Sequence, residues 1–99
     1  MLNINKTEKE TSLAVALEGR LDTATAPELE RELKDSLEGK AELVMDFEKL
    51  AYISSAGLRV LLSAQKTMNK QGTMVIRNAT EEVKEIFDVT GFSDILTIE

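Results

Sequence analysis

The sequence predicts an α/β fold in which helices pack on a mixed β-sheet. Three segments with apolar side chains at helical spacing alternate with short apolar runs that are typical of strands. Strands separated by a helix need a crossover connection, which favours parallel pairing. The chain has 99 residues, enough for one hydrophobic core and too few for two. We therefore expect residues 1–99 to form a single domain.

Two strands joined by a hairpin are predicted at the N-terminus. Apolar side chains at residues 2 and 4 are followed by a polar stretch, and they return at alternate positions over residues 13–17. The hairpin is expected around residues 8–11. Because alanines rather than charged residues separate the apolar positions of the second strand, we expect both of its faces to be covered up to its end at Gly19.

An amphipathic helix is predicted next. Thr25 supplies a capping hydroxyl, Glu28 follows three residues later, and Pro27 lies in the first turn. Apolar side chains then fall on one helical face and charged side chains on the other, until Gly39 ends the pattern. The spacing predicts a helix that begins with a capping box at Thr25.

A second strand-helix unit follows this helix. Residues 43–47 are a short apolar run of the buried-strand type, and a polar and apolar connection leads from them to residue 54. Apolar side chains keep helical spacing over residues 55–71, and Gly72 is a natural end for that helix.

A third strand-helix unit and a short tail complete the chain. Residues 73–76 read as a strand, and either Asn78 or Thr80 is expected to cap a helix that ends near Gly91. The apolar residues in 92–98 are expected to form a final short strand. The predicted order of elements is therefore β-β-α-β-α-β-α-β.

The composition excludes several classes of function. Cysteine and histidine are absent, which excludes disulfides, the usual zinc sites and nucleophiles activated by histidine. Asp46 and Glu48 could suggest acid-base catalysis, but no nucleophile or glycine-rich phosphate loop accompanies them, so we interpret them as ordinary polar residues. We expect no enzymatic activity, no cofactor and no metal site.

Charge and hydropathy indicate the kind of partner. Twelve basic and 18 acidic residues give a net charge of −6, which repels nucleic acid and anionic lipid. No apolar run is long enough to span a bilayer, and residues 1–5 lack the apolar core of a signal peptide. We therefore expect a cytoplasmic protein that binds another protein.

One motif, ISSAGLRVLL at residues 53–62, contains the serines that are the main candidates for a functional role. Its two hydroxyls, Ser54 and Ser55, stand where a helix is predicted to begin, and unpaired amides at such a position favour negative charge. A serine here could be a helix cap or an acceptor of a phosphate. The local chemistry favours the helix cap, and it identifies no kinase that would modify either serine.

The motif and three other stretches resemble one protein family. Residues 46–62 resemble the signature of bacterial anti-sigma factor antagonists, which belong to the STAS domain family. Residues 19–22 with the following Ala26-Pro27, residues 70–76 and residues 83–91 are similar to further segments of the same family. These segments cover nearly the whole chain, so the resemblance implies a STAS-like fold.

The resemblance also implies a function and partners. Such an antagonist binds an anti-sigma factor and thereby frees the sigma factor that the anti-sigma factor holds. In phosphoregulated members the anti-sigma factor is also an ATP-dependent serine kinase, which ends the interaction by phosphorylating the antagonist. A serine phosphatase then restores binding. The chain would be a kinase substrate rather than an enzyme, and nothing in the sequence requires more than a monomer.

The resemblance implies the site residues as well. The acceptor of the family is the hydroxyl two residues before the motif glycine, Gly57, and this position is Ser55. Ser54 is the second choice for the acceptor. The loop aspartate of the family corresponds to Asp22, which is implied to lie beside the acceptor. From its place in the sequence, Arg59 is expected to be exposed at the start of the helix, where it could flank the acceptor or pair with the modified group. These five residues form the predicted partner-binding surface.

Three residues in these motifs differ from the usual family pattern. Ser54 stands where members often have aspartate, Ala56 where they often have a second serine or threonine, and Arg20 where they usually have glutamate. Two alternatives remain open from the sequence. The chain could be a STAS subunit of a stress-signalling complex or a lipid transporter, or a small-molecule or nucleotide-binding module that uses residues 54–57 as an anion site.

Overall fold

The computed structural model describes residues 2–99. It contains four strands, three α-helices and a short 3₁₀ helix. In chain order these are β1 (Leu2–Glu8), β2 (Ser12–Leu21), α1 (Ala26–Ser36), β3 (Glu42–Ile53), α2 (Ser55–Gln71), β4 (Thr73–Arg77), α3 (Glu81–Thr90) and the 3₁₀ helix (Phe92–Asp94). The predicted α/β fold class is confirmed.

The four strands form one mixed sheet in the order β1-β2-β3-β4. β1 is antiparallel to β2, and the hairpin between them closes with a 2.9 Å hydrogen bond from the Lys9 amide to the Ser12 carbonyl. β2 and β3 are parallel, as are β3 and β4, because a helix lies in each connection. The predicted hairpin and the first two of the three predicted crossovers are confirmed.

Only one face of the sheet is covered by helices. Leu13, Val15 and Leu17 of β2 are buried, whereas Ala14 between them is exposed and Ala16 is half-buried. The prediction that both faces of this strand are covered is therefore wrong. The physical reason is the strand order, since consecutive parallel strands joined by right-handed crossovers place successive helices on the same side of the sheet.

The core lies between this face and the helices. Phe47 of β3 and Phe87 of α3 are both fully buried, and their ring centroids are 6.4 Å apart with the rings tilted by 35°. α2 contacts β3, β4 and α1, and α3 contacts β3. The other fully buried large side chains are Leu13, Leu17, Leu21, Leu29, Leu43, Met45, Leu50, Ile53, Leu61 and Met68.

Two strands extend further than the sequence indicated. β2 continues past Gly19 to Leu21, and β3 continues past residue 47 to Ile53. Register shifts between Ala16 and Glu18, and again after Gly19, let the two strands stay paired across these irregular residues. This longer pairing places the C-terminal ends of β2 and β3 side by side.

The C-terminal tail is not the predicted strand. Residues 92–94 form the 3₁₀ helix after Gly91, whose φ of 82° turns the chain at the end of α3. The only strand-like pairing in the rest of the described tail is a single parallel bridge between Ile76 and Ile98. For the cap of α3, the structure selects Thr80 over Asn78, since the Thr80 hydroxyl accepts a 3.3 Å hydrogen bond from the Val83 amide.

The longest helix, α2, has 17 residues. Within residues 2–99, none of the helices has the length and apolar character needed to cross a membrane.

Substitutions in α3 test the core. Phe87→Ala removes a fully buried ring and should lower the free energy of unfolding by about 3 to 5 kcal/mol. Val89→Ala is the matched control, because Val89 is 77% exposed and should change this free energy by less than about 0.5 kcal/mol. Urea unfolding followed by circular dichroism measures both. Equal losses would contradict the burial described for α3.

Candidate functional site

The candidate site lies where β2 and β3 end. Leu21 and Ile53 are paired at the last position of the parallel ladder. The Ser54 amide donates a 2.9 Å hydrogen bond to the Leu21 carbonyl, which continues the ladder by one bond. Asp22 follows Leu21 directly in the chain. The two segments predicted to form the site, the loop at Asp22 and the start of α2, are therefore held side by side.

The two serines at the start of α2 have different environments. Ser54 is the N-cap, with extended backbone angles (φ −99°, ψ 176°), and its Oγ accepts a 3.4 Å hydrogen bond from the Gly57 amide. Ser54 is half-buried. Ser55 is the first residue of the helix and its side chain is exposed. Solvent and a partner thus have access to Ser55, whereas the Ser54 hydroxyl is already engaged in the capping bond.

Gly57 lets α2 pack closely against the sheet. A Cβ atom built on Gly57 would lie 2.7 Å from Cγ of Leu21 and 2.8 Å from Cγ1 of Ile53, closer than carbon atoms normally approach. Gly57 is buried in this contact. Its place in the site is therefore to position the first turn of α2 on the strand ends, and it presents no side chain to a partner.

The loop after β2 is organised around the Asp22 carboxylate. Asp22 Oδ1 lies 3.1 Å from the Thr25 amide, the Ala24 amide and the Thr25 hydroxyl. The Thr25 hydroxyl also accepts a 2.9 Å bond from the Asp22 amide and lies 2.8 Å from the Arg20 carbonyl. Although Thr25 occupies the N-cap position of α1, its side chain makes no capping bond. The predicted capping box is wrong, because the hydroxyl is directed into this loop.

These hydrogen bonds fix the charge of Asp22. The bond from the Thr25 amide, with those from the Thr25 hydroxyl and the Ala24 amide, lowers the pKa of Asp22 below its ordinary value, and partial burial only opposes this effect. Asp22 is therefore a carboxylate at neutral pH. It adds a fixed negative charge beside the start of α2.

Arg20 and Tyr52 form a pair that sequence reasoning missed. They are paired across β2 and β3, and the guanidinium carbon of Arg20 lies 4.4 Å from the centre of the Tyr52 ring. Arg20 Nε is also 3.8 Å from Asp22 Oδ2. Because the register between the strands is irregular at this point, no spacing in the sequence could have placed these two side chains together.

Arg59 is exposed in the second turn of α2. It lines a shallow groove of about 280 Å³ between the N-terminal ends of α1 and α2, together with Thr23, Glu30 and Ala56. The structure thus brings together the predicted site residues, with Ser54, Ser55, Gly57 and Arg59 on the first turns of one helix. Asp22 lies in the loop hydrogen-bonded beside them.

Of the other two acidic candidates, Asp46 and Glu48, the Asp46 carboxylate has structural partners. Asp46 Oδ1 accepts hydrogen bonds from the Glu48 amide at 3.0 Å and from Asn78 Nδ2 at 3.3 Å. The bond from Asn78 ties β3 to the residue that follows β4. In residues 2–99, no group of three or more acidic side chains is arranged to hold a metal ion.

Comparison with known families identifies the fold. Residues 3–99 match the family model for the STAS domain. The chain belongs to the STAS domain family. This STAS domain is 38% identical over 88 residues to BtrV of Bordetella bronchiseptica, which covers 87% of this chain and 76% of BtrV. It is 31% identical over 98 residues to the anti-sigma-B factor antagonist of Bacillus subtilis, which covers 98% of this chain and 90% of that protein.

Solved structures agree on the architecture of the STAS domain. The anti-sigma factor antagonist SpoIIAA from Bacillus, in its unphosphorylated form, superposes with a TM-score of 0.85 at 15% sequence identity. The alignment covers 98% of this chain and 88% of the SpoIIAA chain. The fold implied by the sequence motifs is confirmed.

The close contact at Gly57 predicts the effect of a single methyl group. Gly57→Ala should lower the free energy of unfolding by about 1 to 3 kcal/mol, because the added Cβ pushes α2 away from Leu21 and Ile53. Ser63→Ala, at an exposed position of the same helix, is the control and should change it by less than about 0.5 kcal/mol. Urea unfolding measures both, and a stabilised Gly57→Ala variant would contradict the packing.

The Asp22 loop predicts a pH dependence of stability. The pKa of Asp22 is lower in the folded than in the unfolded chain, so its contribution to stability is present above the unfolded pKa of about 3.9 and is lost as the pH falls through the folded pKa. Thr25→Val removes a hydroxyl donor and should raise the pKa of Asp22 in an NMR titration. Asp22→Asn should reduce the loss of unfolding free energy that occurs as the pH falls into the acid range. Asp35→Asn, at an exposed position of α1, is the control and should reduce this loss less. Equal losses in the two variants would contradict this assignment.

Proposed function

We propose that this STAS domain is an anti-sigma factor antagonist, which binds an anti-sigma factor and thereby releases the sigma factor held by it. The names of the Bacillus subtilis relative and of SpoIIAA support this function. The observation that carries the proposal is the exposed Ser55 hydroxyl at the start of α2, beside the Asp22 loop. Together they form one accessible corner of the domain.

The same corner suits regulation by phosphorylation of Ser55. In the proposed reaction, Ser55 Oγ attacks the γ-phosphorus of an ATP molecule bound to the anti-sigma factor. A new O–P bond forms as the bond from the γ-phosphorus to the β,γ-bridging oxygen breaks, ADP leaves, and the hydroxyl proton passes to a base on the partner. This chain supplies only the nucleophile, so it acts as a substrate and the partner is the enzyme.

Ser55 is preferred to Ser54 as the acceptor because of its surroundings. The Ser55 side chain is exposed, whereas Ser54 is half-buried and its Oγ accepts the capping bond from Gly57. Modification of Ser54 would alter the oxygen that accepts this capping bond, and such a bond typically contributes about 1 kcal/mol to stability. Modification of Ser55 leaves the cap in place.

The phosphate would act on binding through electrostatics. It adds about −1.5 to −2 charges at neutral pH, to a chain whose net charge is already −6. The new charge appears near the Asp22 carboxylate, and a partner that binds this corner would have to remove water from the phosphate. Binding is lost until a serine phosphatase hydrolyses the phosphate ester. No movement of the backbone is required.

Serine variants test the acceptor. The protein is isolated with its bound partners from its native cells, the kinase among them is incubated with ATP and each variant, and phosphate is mapped by mass spectrometry. Ser55→Ala should abolish modification. Ser54→Ala should keep it while losing about 0.5 to 2 kcal/mol of stability through the missing cap.

A binding measurement tests the consequence. The affinity of the phosphorylated protein for the anti-sigma factor should fall by at least about tenfold, which corresponds to about 1.4 kcal/mol. Ser55→Ala should bind the anti-sigma factor, and thereby release the sigma factor, whether or not ATP is present. Phosphate on Ser54 would overturn the site assignment. Co-purification with a transporter or another stress-signalling assembly, without an anti-sigma factor, would overturn the function itself.

A further inference from the structure

Arg59 lies one helical turn after Ser55. Residues four apart on a helix have Cβ atoms about 5 to 6 Å apart, so the two side chains occupy the same face of α2. Long side chains on helices lean toward the N-terminus, over the residues three and four positions earlier. Arg59 lines the same groove as Ala56, three residues before it. Its guanidinium is therefore within reach of a group attached to Ser55 Oγ.

Arg59 is also available for such a group. Within residues 2–99, the four ion pairs closer than 4.0 Å do not include Arg59. The first turn of α2 carries no acidic residue. From the neighbouring elements, Glu30 of α1 lines the same groove, and Asp22 lies in the adjacent loop, where Arg20 Nε is 3.8 Å away. A phosphate with about two negative charges would compete for Arg59 more strongly than the single charge of Glu30.

We propose that Arg59 binds the phosphate on Ser55 within the same molecule, through the paired N–H donors of its guanidinium. The inference rests on the proposed function, in which Ser55 is the acceptor. A guanidinium and a phosphate form short, charge-assisted hydrogen bonds, and the planar fork of arginine matches two phosphate oxygens at once.

This contact adds a second effect to phosphorylation. In the unmodified protein Arg59 is an exposed cation on the docking corner, free to bind a carboxylate of the partner. In the phosphorylated protein the same cation is held by the phosphate of its own chain. The modification therefore introduces a negative charge and, at the same time, withdraws the positive charge that the partner would contact.

The experiment installs the phosphate without a kinase. Phosphoserine is incorporated at position 55 during translation, and the ³¹P resonance is followed as a function of pH for the otherwise native chain and for Arg59→Gln. Because a neighbouring cation favours the dianion, Arg59→Gln should raise the second pKa of the phosphate by about 0.3 to 0.5, from a value below the ordinary 6. Salt at about 1 M should shrink this difference.

Two further variants make the test specific. Lys70→Gln removes one positive charge from the same helix, 15 residues from position 55 and so about 22 Å away, and should leave the phosphate pKa unchanged. Arg59→Lys keeps the charge without the planar fork and should give an intermediate value. In addition, the Arg59 Nε–H resonance should move downfield when Ser55 is replaced by phosphoserine. Amide spectra of the unphosphorylated variants verify that each one is folded.

Identical phosphate pKa values in the native and Arg59→Gln chains, with no movement of the Arg59 resonance, would overturn the inference. A shift of the same size in Lys70→Gln would also overturn it, because the effect would then reflect net charge alone. Since the phosphate is installed by translation, these results do not depend on any kinase. Failure of the proposed function would instead appear in the partner and modification assays.

Discussion

The parallel pairing of β2 with β3 is the constraint on which the fold and the site both depend. It continues through two irregular steps to Leu21 and Ile53, and one more hydrogen bond, from Ser54 to Leu21, extends it to the start of α2. Because both strands run in the same direction, the loop after β2 and the helix after β3 leave the sheet at the same edge. If this pairing ended at Gly19, the Asp22 loop and Ser55 would have no fixed relation to each other.

The two halves of the site, the Asp22 loop and the start of α2, are each held in place by local contacts. The Asp22 carboxylate satisfies the amides of its own loop, and the Thr25 hydroxyl closes the loop onto the Arg20 carbonyl. On the other side, the missing side chain at Gly57 lets α2 rest directly on Leu21 and Ile53. A surface organised in this way is formed before a partner arrives, so binding loses little conformational entropy at the loop.

Much of the fold could be predicted because local patterns and tertiary packing agree. The hairpin, the crossovers and the helix after Ser54 follow from alternation, helical spacing and caps. The uncovered face of β2 could not be predicted from its alanines, since small side chains suit both exposed and buried positions. The direction of the Thr25 hydroxyl depends on a competing bond to the Asp22 loop, and the contact between Arg20 and Tyr52 depends on register. In the site, the motif predicted which residues come together, whereas the capping role of Ser54 and the exposure of Ser55 depend on the folded structure.

The short tail after α3 has a consequence for solubility. β4 lies at an edge of the sheet, where unpaired backbone groups offer a template for strands of other molecules. The tail occupies this edge at Ile76, whose amide donates to the Thr97 carbonyl at 2.9 Å and whose carbonyl accepts from the Glu99 amide at 2.8 Å. Arg77 and Glu99 add an ion pair at 3.1 Å beside these bonds. A segment too short to be a strand thus occupies the backbone groups of Ile76, which limits edge-to-edge pairing at that position of β4.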